Sequence, residues 1–309
     1  MKINVCIVML LSAYWLAAQA PAPGVPSQAT VPPQIKQVQQ LNSEGKQDEA
    51  MAILTPMLAA DPKSYEANLT AGIVLDLKGD YDKARVYLLQ AVEVAPPERR
   101  IQALRTTAVS YAFTCDLPKV AHYEQLAYDS QMQIQKFTDA AGTANELARI
   151  YLECGDIPQA SKWYQTGYDT AIRQPNLSET DRNLWQFRWE NAKARMAARE
   201  GKATQAEADV AAAKVALDQS KNTDQQRFYP YLTGYVAFYA GNYQSAVDEL
   251  QKADQKDPFI LILLAQAYDK LGNQSEAMKY YRQVLTINTH NPTNAFARPL
   301  AKKKIGMGS

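Results

Sequence analysis

Histidine and cysteine are scarce: the 309-residue chain holds two histidines, His122 and His290, and three cysteines. Two histidines exclude most histidine-rich metal sites, and three cysteines cannot build a disulfide-framework fold. An excess of one charge is also missing. Lysine and arginine total 33 against 32 acidic residues, a net charge of +1. No electrostatic surplus therefore draws the chain to phosphate backbones, and nucleic acid is not an expected partner. The sequence contains no G-x-x-x-x-G-K-[ST], no G-x-G-x-x-G after a strand, no H-E-x-x-H and no G-x-S-x-G. Neither an enzyme activity nor a cofactor nor a metal is expected.

What is present is helical material. The chain is 47% hydrophobic and 21% charged, enough apolar surface for a packed core. Alanine is very common, with 47 copies; it has the best intrinsic helicity and lets helices approach closely.

The N-terminus reads as an address. Lys2 precedes an apolar run from Ile3 to Ala17, and Ala18-Gln19-Ala20 supplies small residues for cleavage. The run is shorter than the about 20 residues of a spanning helix, so residues 1–20 are read as a signal peptide, with an uncleaved anchor as the alternative. Cys6 lies too early in the run for a lipidation site. Residues 21–33 contain five prolines, which remove donors and fix φ; this is an extended linker. The expected location is periplasmic or secreted, without stable membrane insertion after cleavage.

The rest of the chain repeats. Residues 65–98 and 227–258 share a small residue in a first helix, then Gly-Asp/Asn-Tyr, then spaced alanines and a proline. In one unit these are Ala71, Gly72, Leu75, Gly79-Asp80-Tyr81, Ala84, Leu88, Ala91 and Pro96. In another they are Gly234, Gly241-Asn242-Tyr243, Ala246, Leu250, Ala253 and Pro258. Turn residues recur at Gly45, Gly79, Cys115, Gly155, Gly201, Gly241 and Gly272, each between two helices. Pro175 ends a helix, and Ser178-x-x-Asp181 opens a long one reaching about Glu200.

This pattern resembles the tetratricopeptide repeat, a helical hairpin of about 34 residues. The resemblance implies an all-α, right-handed superhelical solenoid of about seven hairpins over residues 34–290, with residues 291–309 as a C-terminal cap and basic tail. It also implies a non-enzymatic scaffold that binds a partner segment on the concave face. One hairpin cannot bury its own face, so the units must stack.

Mapping the family's concave positions gives Asn145, Arg149, Leu152 and Glu153 in the fourth unit, and Arg188, Asn191, Arg195 and Arg199 in the fifth. The sixth supplies Tyr231, Tyr235, Phe238 and Tyr239. Arginine forks suit carboxylate or phosphate and tyrosines give rigid contact area, so the expected partner is a protein or peptide of acidic character. A groove of aromatics stacking on glycan or cell-wall fragments is the alternative. The competing assignment places the same aromatics in packing between repeats.

Other residues are assigned bland roles. His122 and His290 are expected at the surface. Glu146, Glu153 and Asp156 are read as a solvated face, and Lys302, Lys303 and Lys304 as a solvated tail. Cys115 and Cys154 are expected to stay unbridged, because stacked helices lie about 10 Å apart and a bridge needs Cα atoms within about 7 Å.

Overall fold

A computed structural model describes residues 32–307. The signal-peptide reading and almost all of the linker lie outside the described residues. Fifteen α-helices follow one another, with no strand among the described residues.

Seven antiparallel hairpins account for fourteen of the helices. They are α1 (Pro33–Ser43) with α2 (Gln47–Ala60), α3 (Tyr65–Lys78) with α4 (Tyr81–Val94), and α5 (Arg100–Ala112) with α6 (Leu117–Gln133). Then come α7 (Phe137–Glu153) with α8 (Ile157–Ala171), and α9 (Glu179–Arg199) with α10 (Ala203–Gln219). The last two are α11 (Tyr229–Tyr239) with α12 (Tyr243–Leu250), and α13 (Pro258–Lys270) with α14 (Gln274–Leu285). A fifteenth helix, α15 (Pro292–Lys304), closes the chain. Each helix packs on its successor, the stacking that repeated hairpins require.

The turns explain the glycines. Gly79 has φ of 104° and caps α3, its N–H donating to the carbonyls of Leu75 and Asp76. Cys115 fills the same turn in the third hairpin at φ 51°, a conformation that costs an L-residue about 1 kcal/mol. Glycine inside a helix serves closeness instead. A Cβ on Gly72 would lie 2.3 Å from Leu88 Cγ, so α3 and α4 can meet there only because that atom is missing. Ser178 caps α9 as its spacing predicts, its side chain accepting from Asp181 N–H at 3.0 Å. Pro258, the last residue of the repeated pattern, does not end a helix. The sixth hairpin has already ended at Leu250, and Pro258 opens α13, where its missing N–H costs nothing.

Two expectations are corrected here. Cys115 and Cys154 form a disulfide, with Cα atoms 5.8 Å apart. The separation of about 10 Å applies to helix axes. Cα atoms on facing sides approach by a helix radius of about 2.3 Å each, which brings them within bridging range. His290 is not at the surface: its side chain is 6% exposed and its Nε2 sits 2.8 Å from Asp76 Oδ2. His122 is exposed.

The C-terminus is not a free tail. α15 packs on α13 and α14 and also on α5 and α7. Arg298 Nε donates to Leu77 O at 2.8 Å, and its Nη1 donates to Leu285 O and Ile287 O. Lys302 donates to Lys78 O at 2.6 Å, and Lys304 pairs with Asp269 at 2.9 Å. Asn288 joins the last turn to the first hairpin, accepting from Gln47 and donating to Ser43 O. The two ends of the solenoid therefore meet, and α15 lies against first helices of the third, fourth and seventh hairpins. Its Phe296 stacks edge-on to Phe259, ring centres 6.0 Å apart.

Candidate functional site

The first helices of hairpins four to six converge on one buried carboxylate. Glu153 ends α7, and its side chain is 4% exposed. Arg199 Nη1 donates to it at 3.0 Å, Tyr235 OH donates at 3.3 Å, and Arg195 Nη1 lies 3.9 Å away. The expectation that Glu153 belongs to a solvated face is corrected. Its helical position points inward, and the winding of the solenoid brings α9 and α11 onto it. Glu146 pairs with Arg105, and Asp156 caps α8 by accepting from Gln159 N–H. These too are structural rather than solvated groups.

Arginines and tyrosines surround Glu153 in layers. Arg195 Nε donates to Asn191 Oδ1 at 2.9 Å and its Nη2 to Tyr164 OH at 2.8 Å. Its guanidinium also lies over the rings of Tyr164 and Tyr235. Arg199 donates to Tyr239 OH at 2.9 Å. Tyr235 packs on Tyr239 with the rings tilted by 44° and their centres 4.7 Å apart, and meets Tyr231 edge-on at 5.9 Å. Arg149 sits over Tyr231 and over Phe259 of α13, 5.8 and 5.1 Å from the ring centres.

Burial sets the protonation of the cluster. It pushes the Glu153 carboxyl above its ordinary value, although Arg195, Arg149 and Arg199 pull the other way. It raises Tyr235 well above the usual phenol value, with the Glu153 charge adding to the effect. It carries Tyr231 up to about 12 against the pull of Arg149 and Arg195. Asp257, at the start of α13, is raised by burial and held back by Arg149. The tyrosines are therefore neutral donors at physiological pH.

The geometry brings together Arg149, Asn191, Arg195, Arg199, Tyr231, Tyr235 and Tyr239. Three other sequence candidates stand apart. Asn145 approaches Gly167 of α8, Arg188 lies 4.3 Å over the Trp185 ring of its own helix, and Phe238 packs on Tyr239 and Tyr243. Within the cluster, Tyr235 is 0% and Arg195 6% exposed, forming its floor. Arg149, Arg199, Tyr231 and Tyr239 keep partial exposure and form its rim. Tyr164 and Asp257 were not anticipated. Tyr164 reads as an ordinary second-helix packing residue, and nothing local marks Asp257 beyond its place before Pro258.

Among the described residues no group of three or more His, Cys, Asp and Glu side chains could hold a metal. No helix there is long and apolar enough to cross a membrane.

Two family models described as Tetratricopeptide repeat match the chain, over residues 41–107 and 260–291. No curated protein sequence matches it. Solved structures similar to it include a tetratricopeptide repeat protein from Parabacteroides merdae, 11% identical, covering 86% of this chain and 97% of that one, with a TM-score of 0.48. Pseudomonas aeruginosa pilF is 13% identical over 81% of this chain and 96% of its own, with a TM-score of 0.45. The APC/C hetero-tetramer Cut9-Hcn1 gives 16% identity over 87% of this chain and a TM-score of 0.41; the match spans 48% of that chain, about half its length.

Proposed function

Because the chain is a tetratricopeptide repeat protein, we propose that it is a non-enzymatic scaffold holding a partner polypeptide against the inner wall of α7, α9 and α11. One observation carries this reading. α15 already covers apolar inner surface on α5 and α7, seating Ala295 and Phe296 among Val109, Phe113, Leu147 and Ala148. The wall formed by the end of α7 with α9 and α11 presents arginine and tyrosine instead, with Arg149, Arg199, Tyr231, Phe238 and Tyr239 partly exposed. Aromatic and arginine side chains over a rigid, buried floor are the usual anchors of protein interfaces.

Export belongs to the same proposal. A charged, apolar and then small-residue N-terminus supports a cleaved signal peptide. The Cys115–Cys154 disulfide supports an oxidising compartment, where such bonds persist. The domain reading is retained with it: signal peptide over residues 1–20, linker over 21–33, repeats over 34–290 and a C-terminal cap beyond.

The test is position-resolved photocrosslinking in cells. A photoreactive residue at Phe238 or Tyr239 should trap a partner polypeptide. The same residue at Val86 or Val215, exposed on α4 and α10, should not. Crosslinks confined to Val86 and Val215 would refute the inner-wall reading.

A further inference from the structure

The second helices of the hairpins share one core position. At the same distance beyond the turn residue, six hairpins carry leucine, tyrosine or valine: Leu54, Leu88, Tyr164, Val210, Leu250 and Tyr281. The third carries Glu124. A carboxyl group thus sits where the fold otherwise packs an apolar or aromatic side chain. Glu124 is as buried as Leu88 and Leu250, its side chain 0% exposed. Among the described residues neither of its oxygens has a hydrogen-bond donor. An ionised carboxylate in such a place is costly, and the group escapes the cost by keeping its proton.

The neighbours show where that proton goes. α6 carries Glu124 and packs on α5 and α7. From α5, Arg105 Nε lies 3.8 Å from Glu124 Oε2, too far for a hydrogen bond. Arg105 Nη2 donates instead to Glu146 of α7. Glu146 is also within hydrogen-bonding reach of Glu124. On α6 itself the buried neighbours one turn away, Val120 and Ala127, carry no charge. Two carboxyl groups therefore share one guanidinium. Ionised together, they would leave a net negative charge away from water, with two acceptors facing each other. A proton on Glu124 removes both faults. It supplies a hydroxyl that donates to Glu146, and it leaves Glu146 and Arg105 as a balanced ion pair. Burial and the Glu146 charge hold the Glu124 carboxyl well above its ordinary value, although Arg105 pulls the other way.

We infer that Glu124 and Glu146 share one proton beside Arg105, and that this pair is an acid-strengthened clasp fastening α6 to α5 and α7. Its direction follows from proton binding. An unfolded glutamate loses its proton near about pH 4.3, whereas the folded pair keeps one at higher pH. The stability from the clasp is therefore complete below about pH 4.3 and is lost as pH rises through the value of the folded pair, the folding equilibrium constant falling by up to about tenfold per pH unit. Once the proton leaves, Glu124 is a charge without a donor. α6 must then admit water or swing away from α5 and α7, while the Cys115–Cys154 bridge still ties the turns of hairpins three and four. The clasp needs no partner on the inner wall and operates whether or not that wall binds one.

Urea unfolding across the range from about pH 5 to about pH 8, with infrared spectra at neutral pH, tests the clasp. Glu124→Gln keeps the side-chain shape and offers Glu146 a neutral N–H donor at every pH. Its advantage over wild type should grow as pH rises, by up to about tenfold in the folding equilibrium constant per pH unit, and shrink toward the acid end. Glu146→Gln leaves Arg105 a single carboxylate partner, Glu124, so the pH-dependent part should vanish. At neutral pH the wild-type infrared spectrum should contain a protonated-carboxyl carbonyl band that Glu124→Gln lacks. Amide exchange in α6, corrected for its intrinsic rate, should speed up with pH in wild type and not in Glu124→Gln. A stability difference that stays constant with pH, or spectra without that band, would overturn the inference. Equal pH dependence in Glu146→Gln and wild type would mean a proton kept by burial alone, and overturns the sharing. Failure of Glu124→Gln to fold at neutral pH also overturns it, because that variant is expected to be the more stable there. Should Glu146→Gln fail to fold, Glu124→Gln and the infrared band decide.

Discussion

The Cys115–Cys154 bridge closes a loop with a sequence separation of 39 residues. In the chain-entropy model a loop of that length restricts the unfolded state by about 13 cal/mol/K, or about 4 kcal/mol at room temperature. At roughly 2 °C per kcal/mol for a chain of this size, the loss corresponds to about 8 °C in melting temperature. The effect should be concentrated in hairpins three and four, because repeat arrays unfold by neighbouring units rather than all at once. Cys115 is exposed and Cys154 partly so, so a reductant reaches the bond in the folded protein. The assay compares oxidised protein, reduced protein and the double variant Cys115→Ser/Cys154→Ser by thermal melting and amide hydrogen exchange. Reduction and double substitution should produce the same loss, with faster exchange in α5 to α8. Coincident melting curves and unchanged exchange for all three would refute the loop-closure reasoning.

Three further outcomes are expected. Gly72→Ala should destabilise by about 1–3 kcal/mol through overpacking, and combining it with Leu88→Ala should cost less than the sum of the two, since the clash is with Leu88 Cγ and Cδ2; additive losses in denaturant unfolding would contradict this. Arg298→Met should cost about 2 kcal/mol by denaturant titration, because three carbonyl oxygens lose a charged donor; an unchanged midpoint would mean that α15 is held by its apolar contacts alone. Burial lifts Tyr231 to about 12, above the ordinary phenol value of about 10. The folded state then keeps a proton that the unfolded state loses, so the stability from Tyr231 is complete below about pH 10 and disappears as pH rises toward about 12. Tyr231→Phe should flatten the alkaline limb of the stability profile in that window, and a profile identical to wild type would refute the assignment.

The hairpins were legible in the residues because their causes are local. Gly79, Gly155 and Gly241 mark turns at positive φ, and Ser178 caps α9 through a residue three positions away. Gly72 marks a close approach within one hairpin, again a short-range requirement. All these signals operate over a few residues or a single repeat, which is why periodicity finds them.

Inter-repeat distances have no such local cause. Helix spacing alone argued against a Cys115–Cys154 bridge, and only the placement of the two turns on facing sides shows that it forms. Glu153 looks like any acidic residue at a helix end; whether it meets solvent or three arginines depends on how tightly the solenoid winds. His290 reads as a surface residue and Lys302 as part of a solvated tail until the last helix folds back to Asp76 and Lys78, more than 200 positions earlier. The sequence by itself determined that the chain is a stack of helical hairpins and which helix faces turn inward, since backbone conformation and side-chain periodicity are properties of neighbouring residues. Only the tertiary structure decided that the inward faces of α7, α9 and α11 converge on one carboxylate, because that depends on superhelical curvature summed over many small inter-repeat rotations.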